Sequence, residues 1–392
     1  MEANESDIQL PLKEKTAVAP TAWKPGVVWD GMEGEITSRT MTSPTPHWDE
    51  IIAGWGYDPK VYEIVEPVKI STWDAQTASG TQQLWSYKAG MRVRTHPKAI
   101  PYDDLLEEIK KHKPVKPVFT EGPLDMVVCL ADWQTGKPDG DGLTGTVQRI
   151  LAMIDDVENR IKELNKLGRQ IGRLFIIGMG DMIEGCDQSY ATQTFGVELN
   201  RREQVRIARR LVRDAIVRWS KYFGEVIVSA VPGNHGENRS GGRLFTSVGD
   251  NDDVAIFEVV AEILASNPKA FGHVSFHIPE NEIYVTFRMG ENVVGFTHGH
   301  ITRGSGSPQN KIKSWWEDQV FGEQKIGQAN ILVTAHYHHF SVIEYGKKIH
   351  IQAPTVDGGS EWWQNLTGQD SRQGTLTFLT GGTKIYQDLE VI

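Results

Sequence analysis

From Asp125 onward the sequence alternates short, wholly apolar runs with amphipathic helical stretches, and this alternation limits the possible folds more than any other feature. "DMVVCLAD" reads as a buried strand, and "TVQRILAMIDDVENRIKELNKLG" as a helix closed by Gly168. "RLFIIGMGD" is a second buried strand, "NRREQVRIARRLVRDAIVRW" a second helix, and "EVIVSAVPGNH" a third strand. Strand, helix and strand in succession imply a mostly parallel sheet, with ligands gathered at the carboxyl ends of its strands. After a helix near Asp253–Ser266 the pattern turns strand-rich, at His273–Ile278, Glu282–Arg288, Asn292–Thr297 and Ile331–Ala335, followed by hairpin-like runs. The expected fold class is therefore α/β, with two facing mixed sheets flanked by helices.

The N-terminal third follows different rules. Residues 1–46 mix Pro, Thr, Ser, Gly and charges without an apolar period and read as a flexible or draped arm. Residues 47–118 read as a small Trp-rich α+β module and linker: a helix near Trp48–Gly54, alternating runs at Val61–Trp73 and up to Arg94, then a helix begun by Pro101 and stopped by Pro114. Residues 119–392 are the expected main domain. Trp23, Trp29, Trp48, Trp55 and Trp73 gather in the N-terminal region, away from the chemistry.

Composition excludes several classes. Hydrophobic residues are 39% and charged residues 23% of the 392, which is a soluble globular balance. No apolar run approaches the ~18 residues of a membrane span, and "MEANESDIQL" lacks a signal-peptide core. Two cysteines make neither a disulfide framework nor a zinc cluster, so a reducing, cytoplasmic setting is expected and no membrane partner. The net charge of −10 weighs mildly against a surface coated in nucleic acid.

Polar residues collect at the ends of the apolar runs. "LADWQTGK" supplies Asp132 and Gln134, "GMGDMIEG" Asp181, and "VPGNHGE" Asn234 and His235. "FTHGH" supplies His298 and His300, and "ILVTAHYHHF" supplies His336 and His338, at i, i+2 on an extended segment and so on one side. Singly each is an ordinary turn signal. Together, five strand tips on one rim offer carboxylate, amide and imidazole donors suited to two divalent ions such as Mn²⁺, Fe, Zn²⁺ or Mg²⁺. Glycines beside Asp181, Asn234 and His298 permit close backbone approach.

This series resembles the motif order of the calcineurin-like metallophosphoesterases, D-x-H, G-D, G-N-H-[DE], H-G-H and G-H-x-H, over about two-thirds of the chain from Leu124. The resemblance implies a four-layer fold. It implies that Asp132 binds a first metal with His338, that Asp181 bridges two metals, and that Asn234, His298 and His336 complete the second. It also implies that His235 is the catalytic non-ligand histidine, and that His300 orients a ligand or touches substrate. Two positions depart from the pattern: Gln134 stands where the family has histidine, and Ala335 where it has glycine. Glutamine offers oxygen instead of imidazole, so Gln134 is expected as an oxygen ligand of a weaker, harder first site. Two divalent ions, Mn²⁺ foremost, are the implied cofactor, and hydrolysis of a phosphoester by a bridging hydroxide the implied reaction.

Substrate hints are thinner. "ADWQTGK" resembles the "DWHLGK" of SbcD-type DNA-repair nucleases, and an appended N-terminal module resembles some phage-encoded phosphoesterases. Arg202, Arg206, Arg209 and Arg213 share a helix face that is expected either to track a phosphate backbone or to be plain solvated surface. Arg239 and Arg243 are placed to clamp a phosphate. Lys311, Lys313, Trp315 and Trp316 suit either base stacking or, more often, packing. The expected partner is nucleic acid, DNA first, as substrate; a homo-oligomer stays open. Three readings remain: a DNA exo- or endonuclease, a small-molecule phosphodiesterase or nucleotide phosphatase, and a catalytically weak binding module.

Overall fold

A computed structural model of the chain describes residues 23–29, 33–57, 59, 62–77, 80–93, 102–187, 189–190, 193–244, 246–302, 306–359, 368 and 372–392. The chain divides into two compact units, Met1–Lys98 and Ala99–Ile392.

The smaller unit is an antiparallel sheet of order β1-β2-β4-β3. It comprises β1 (Gly26–Trp29), β2 (Glu33–Thr37), helix α1 (Trp48–Gly54), β3 (Tyr62–Thr77) and β4 (Gly80–Val93). Helix α1 lays Ile51 and Ile52 against Ile36, Tyr87 and Met91, with Trp48, Trp55 and Trp85 packed around them. The expected arm therefore yields two strands. At four and five residues they are too short to show a period; pairing decides them, β2 with β4 and β1 with β2. Residues 1–22 of that arm, the module's end near Arg94 and the Pro101 helix start lie outside the described residues.

The larger unit opens with α2 (Tyr102–Lys110), whose Leu105 and Ile109 join the core of this unit. Then follow β5 (Leu124–Leu130), α3 (Gly142–Lys166), β6 (Ile171–Gly178), α4 (Gln193–Gly196), α5 (Arg201–Ser220) and β7 (Val226–Ala230). A two-stranded ribbon, β8 (Arg239–Ser240) with β9 (Arg243–Leu244), precedes α6 (Asp252–Ala265), α7 (Pro268–Phe271) and β10 (Val274–Phe276). Strands β10, β7, β6 and β5 run parallel in that order.

The second sheet comprises β11 (Tyr284–Met289), β12 (Asn292–Thr297), β13 (Ile331–Thr334), β14 (Ser341–Tyr345) and β15 (Lys348–Gln352), in the order β11-β12-β13-β15-β14. Helix α8 (Pro308–Phe321) precedes β13, and β16 (Leu376–Thr380) and β17 (Gln387–Val391) return to the first sheet beside β5.

Alternation along β5 explains the layering. Met126, Val128 and Leu130 pack with α3, α5 and α6, while Val127 and Cys129 meet Phe296, Val333 and Ile351 of the second sheet. On the outer face of that sheet Trp315 and Trp316 of α8 pack on Leu332. Each such buried side chain contributes about 1.5–3 kcal/mol. The result is helices, sheet, sheet and helix. Mixed α/β architecture with two facing sheets is what the sequence predicts.

Candidate metal centre

Parallel strands end on one edge, and there the chain turns sharply. Asp132 and Gln134 follow β5, Asp181 follows β6, Asn234 and His235 follow β7, His298 and His300 follow β12, and His336 and His338 follow β13. Five of these nine are non-glycine residues in the left-handed region: Asp132 (φ 50°), Gln134 (φ 41°), Asp181 (φ 53°), His336 (φ 70°) and His338 (φ 60°). Such a conformation costs about 1–3 kcal/mol per residue and persists only where surroundings enforce it. The loops also cross closely. A Cβ on Gly233 would lie 2.2 Å from Asp181 Oδ1, and one on Gly180 2.8 Å from the Gly233 backbone, so both positions need glycine.

Asp181, His298 and His336 each present one donor atom, all within 4.8 Å of one another. His298 Nε2 lies 3.1 Å from Asp181 Oδ2 and 3.2 Å from Asn234 Oδ1. Its Nδ1 donates to the Met179 carbonyl at 2.8 Å, which fixes the ring and leaves Nε2 toward the centre. Burial lowers the His298 pKa, but Asp181 outweighs it and lifts the value to about 9. Burial, joined by charge on His298, pushes His336 down to about 2, so its imidazole stays neutral. One carboxylate, one amide oxygen and two imidazoles, drawn from both sheets, form a donor set that fits Mn²⁺, Fe or Zn²⁺.

The expected first site is arranged differently. Asp132 is fully buried; its Oδ2 accepts the His336 N–H at 3.1 Å, and its Oδ1 makes no hydrogen bond. His338 Nε2 stands 3.4 Å from that Oδ1, and its Nδ1 3.6 Å from Asp357 Oδ2. Gln134 turns its oxygen elsewhere. Its Oε1 accepts from Lys137 Nζ at 2.9 Å, and Lys137 also pairs with Asp357 at 2.6 Å. The oxygen expected as a metal ligand is thus occupied by an ammonium, because a lysine lies one turn of loop beyond it.

His235 sits beside the centre, its Nε2 3.9 Å from Asp181 Oδ2 and 3.3 Å from the Gln134 amide nitrogen. Its Nδ1 donates to the Glu184 carbonyl at 2.7 Å, and Glu184 Oε2 faces the same nitrogen at 3.3 Å. Burial lowers the His235 pKa, while Asp181 and Glu184 raise it further, to about 10. Asp253 accepts backbone N–H groups of Asp181 (2.8 Å), Met182 (2.8 Å) and Gly233 (3.1 Å), tying two rim loops to the start of α6. Lys137, Glu184, Asp253 and Asp357 are absent from the motif series. "DMIEG" and "ADWQTGK" display two of them next to recognised residues, whereas Asp253 and Asp357 reach the rim only through tertiary folding.

The candidate substrate residues fare unequally. His300 Nε2 lies 3.5 Å from Glu237 Oε1, and its ring centre 5.3 Å from that of His298. Arg239 pairs with Glu237, so its guanidinium is already neutralised; Arg243 is exposed on the ribbon. On α5, Arg213 is buried and bonded to Glu108 and Asp214, because α2 covers that end of the helix. It therefore leaves the predicted basic stripe. Arg202, Arg206 and Arg209 remain and, with Tyr102, Arg201, Val205 and Asp252, line a cleft of about 610 Å³. Trp315 and Trp316 are buried, Trp316 Nε1 donating to Ile326 O at 3.0 Å, which leaves no ring face for a base.

No helix among the described residues is long and apolar enough to cross a membrane. No family model and no curated protein matches the chain. Among solved structures, vacuolar protein sorting 29 of Cryptosporidium parvum matches at 15% identity, covering 66% of this chain and 86% of that one, with a TM-score of 0.29. An archaeal phosphodiesterase matches at 13%, over 68% and 99%, with a TM-score of 0.32. The Zn²⁺ complex of the sorting protein from Entamoeba histolytica matches at 12%, over 68% and 98%, with a TM-score of 0.29. Likenesses this loose carry no argument, so the functional reading rests on the chain's own residues.

Proposed function

We propose that the chain is a metal-dependent phosphoester hydrolase of the calcineurin-like type, and that its substrate is DNA. The carrying observation is the convergence of Asp181, Asn234, His298 and His336 on one spot, with His235 beside it on the same rim. A divalent cation held there supplies Lewis acidity toward a phosphoryl oxygen. The residues do the rest. His235, kept protonated by Asp181 and Glu184, is placed to give its proton to the departing oxygen. Glu184 and its carbonyl hold the imidazole in one orientation, and Asp253 fixes the backbone on which Asp181 stands.

A polynucleotide substrate is supported by the arginine cleft. Among the described residues Arg202, Arg206 and Arg209 make no ion pair, and Arg209 Nε is buried without a hydrogen bond. Arg201 connects this cleft to the rim, since its guanidinium meets Asp252, Asp187 and the carbonyl of Gly236, the residue after His235. Uncompensated guanidinium groups beside a phosphoester site suit a row of phosphates. The net charge of −10 favours the competing small-molecule reading.

The test is turnover with Mn²⁺ on single- and double-stranded DNA, RNA, cyclic nucleotides and a chromogenic phosphodiester. Arg206→Glu with Arg209→Glu should weaken cleavage of DNA and flatten its salt dependence, yet spare the chromogenic diester. Equal loss on both would remove the polynucleotide reading. No hydrolysis of any phosphoester would remove the enzymatic one.

A further inference from the structure

We propose that the Lys137 ammonium stands in for the first of the two metal ions, so that the centre takes a single divalent cation at Asp181, Asn234, His298 and His336. This rests on the hydrolase reading and states how many ions such a site admits.

Four observations lead there. Gln134 replaces an imidazole, and its Oε1 is directed to Lys137 Nζ at 2.9 Å. Lys137 is held on its other side by Asp357 Oδ2 at 2.6 Å; the two side chains are 11% and 0% exposed, so the pair is shielded from water. Asp357 also faces His338 Nδ1 at 3.6 Å, which ties the expected first-site histidine into the lysine's network. Finally, Asp181, His298 and His336 form the one three-residue donor group that closes within 4.8 Å among the described residues. Asp132 and His338 remain as a pair that no third His, Cys, Asp or Glu among the described residues closes within the same distance.

The charge logic is direct. A dication bound to Gln134 Oε1 would share that oxygen with an ammonium in a buried place, where like charges repel strongly. One of the two has to leave. Lysine is covalently present, satisfied by an amide oxygen and a carboxylate, and needs no loading. It offers N–H donors and one positive charge to a phosphoryl oxygen, as a metal would, but no Lewis acidity.

The experiment counts ions. The full-length protein is loaded with Mn²⁺ and dialysed, and manganese per chain is measured by elemental analysis beside the electron paramagnetic resonance spectrum. One ion per chain with an isolated, uncoupled spectrum is expected. The paired substitution Gln134→His and Lys137→Met should approach two ions and show spin coupling. Two ions per chain, or a coupled spectrum, in the unsubstituted protein overturns the proposal whether or not the variant folds. A folded double variant that still binds one uncoupled ion overturns it too, because Lys137 is then not what excludes the second. One bound ion without turnover on any phosphoester would sink the hydrolase reading and leave the count standing. No ion at all would sink both.

Discussion

Two clusters of buried polar groups in the larger unit behave in opposite ways. Between α3 and α5, Glu158 accepts from Tyr222 Oη (2.7 Å), Arg218 Nε (2.8 Å) and Lys221 Nζ (3.0 Å), with Lys162 Nζ at 3.1 Å. Both of its oxygens are used; Lys162 and Arg218 sit in regular helix, and Lys221 and Tyr222 in the turn that ends α5. At the strand tips, Asp132 Oδ1, Glu184 Oε2 and His300 Nδ1 are buried without a hydrogen bond, and five residues have positive φ. A group that serves the fold collects partners until it is satisfied. Groups at the rim are left short of partners by a backbone that is itself strained, which is the mark of a place built to receive something.

The sharpest way to break that contrast is Asp181→Asn. Turnover should fall by ~10³-fold or more, since the central carboxylate is lost, while the melting temperature measured without metal stays close to that of the metal-free unsubstituted protein. Comparable loss of fold would mean that the rim is structural after all. His235→Asn should lower kcat by ~10²–10⁴-fold and leave the metal content unchanged, read by elemental analysis. Glu184→Gln removes the charge facing His235 Nδ1 but keeps the carbonyl contact, so it should cost less, ~10–100-fold in kcat.

Glu158→Gln should do the reverse: full activity, and a loss of about 1–3 kcal/mol by denaturant titration, toward the low end because three of the partners are partly exposed. Burial opposes ionisation of Glu158, but Tyr222, Arg218, Lys221 and Lys162 together hold its pKa well below the usual carboxylate value. A depressed folded pKa gives stability that is present above the unfolded value of ~4.3 and lost as pH falls below it. The substituted protein should therefore show a flatter decline of stability in acid. Identical acid profiles would remove Glu158 from the fold-bearing cluster.

Legibility in the sequence followed the same division. Apolar runs announced β5, β6, β7 and β12, because a buried strand needs a continuous or alternating apolar pattern whatever surrounds it. The strand tips were legible for the same reason: whatever ends such a run lies on the rim. Partners were not. Lys137 meets Asp357 across 220 residues, and Asp253 clasps loops far from it in sequence. Arg213 reads as part of a basic stripe until α2 brings Glu108 over it. The strands β1 and β2 were hidden by brevity, since four or five residues cannot display a period.

The donors at the rim come from both sheets: Asp181 and Asn234 follow β6 and β7, His298 and His336 follow β12 and β13. Elsewhere the two sheets meet through apolar packing. A cation gripped by all four residues would act as a rivet across that seam, and its binding energy would be shared with the fold. Linkage then turns the melting midpoint into a gauge of free metal, worth about 2.7 kcal/mol at a hundredfold excess over Kd. Chelation should lower the midpoint, Mn²⁺ should restore it in proportion to the logarithm of its concentration, and His298→Ala should erase the response.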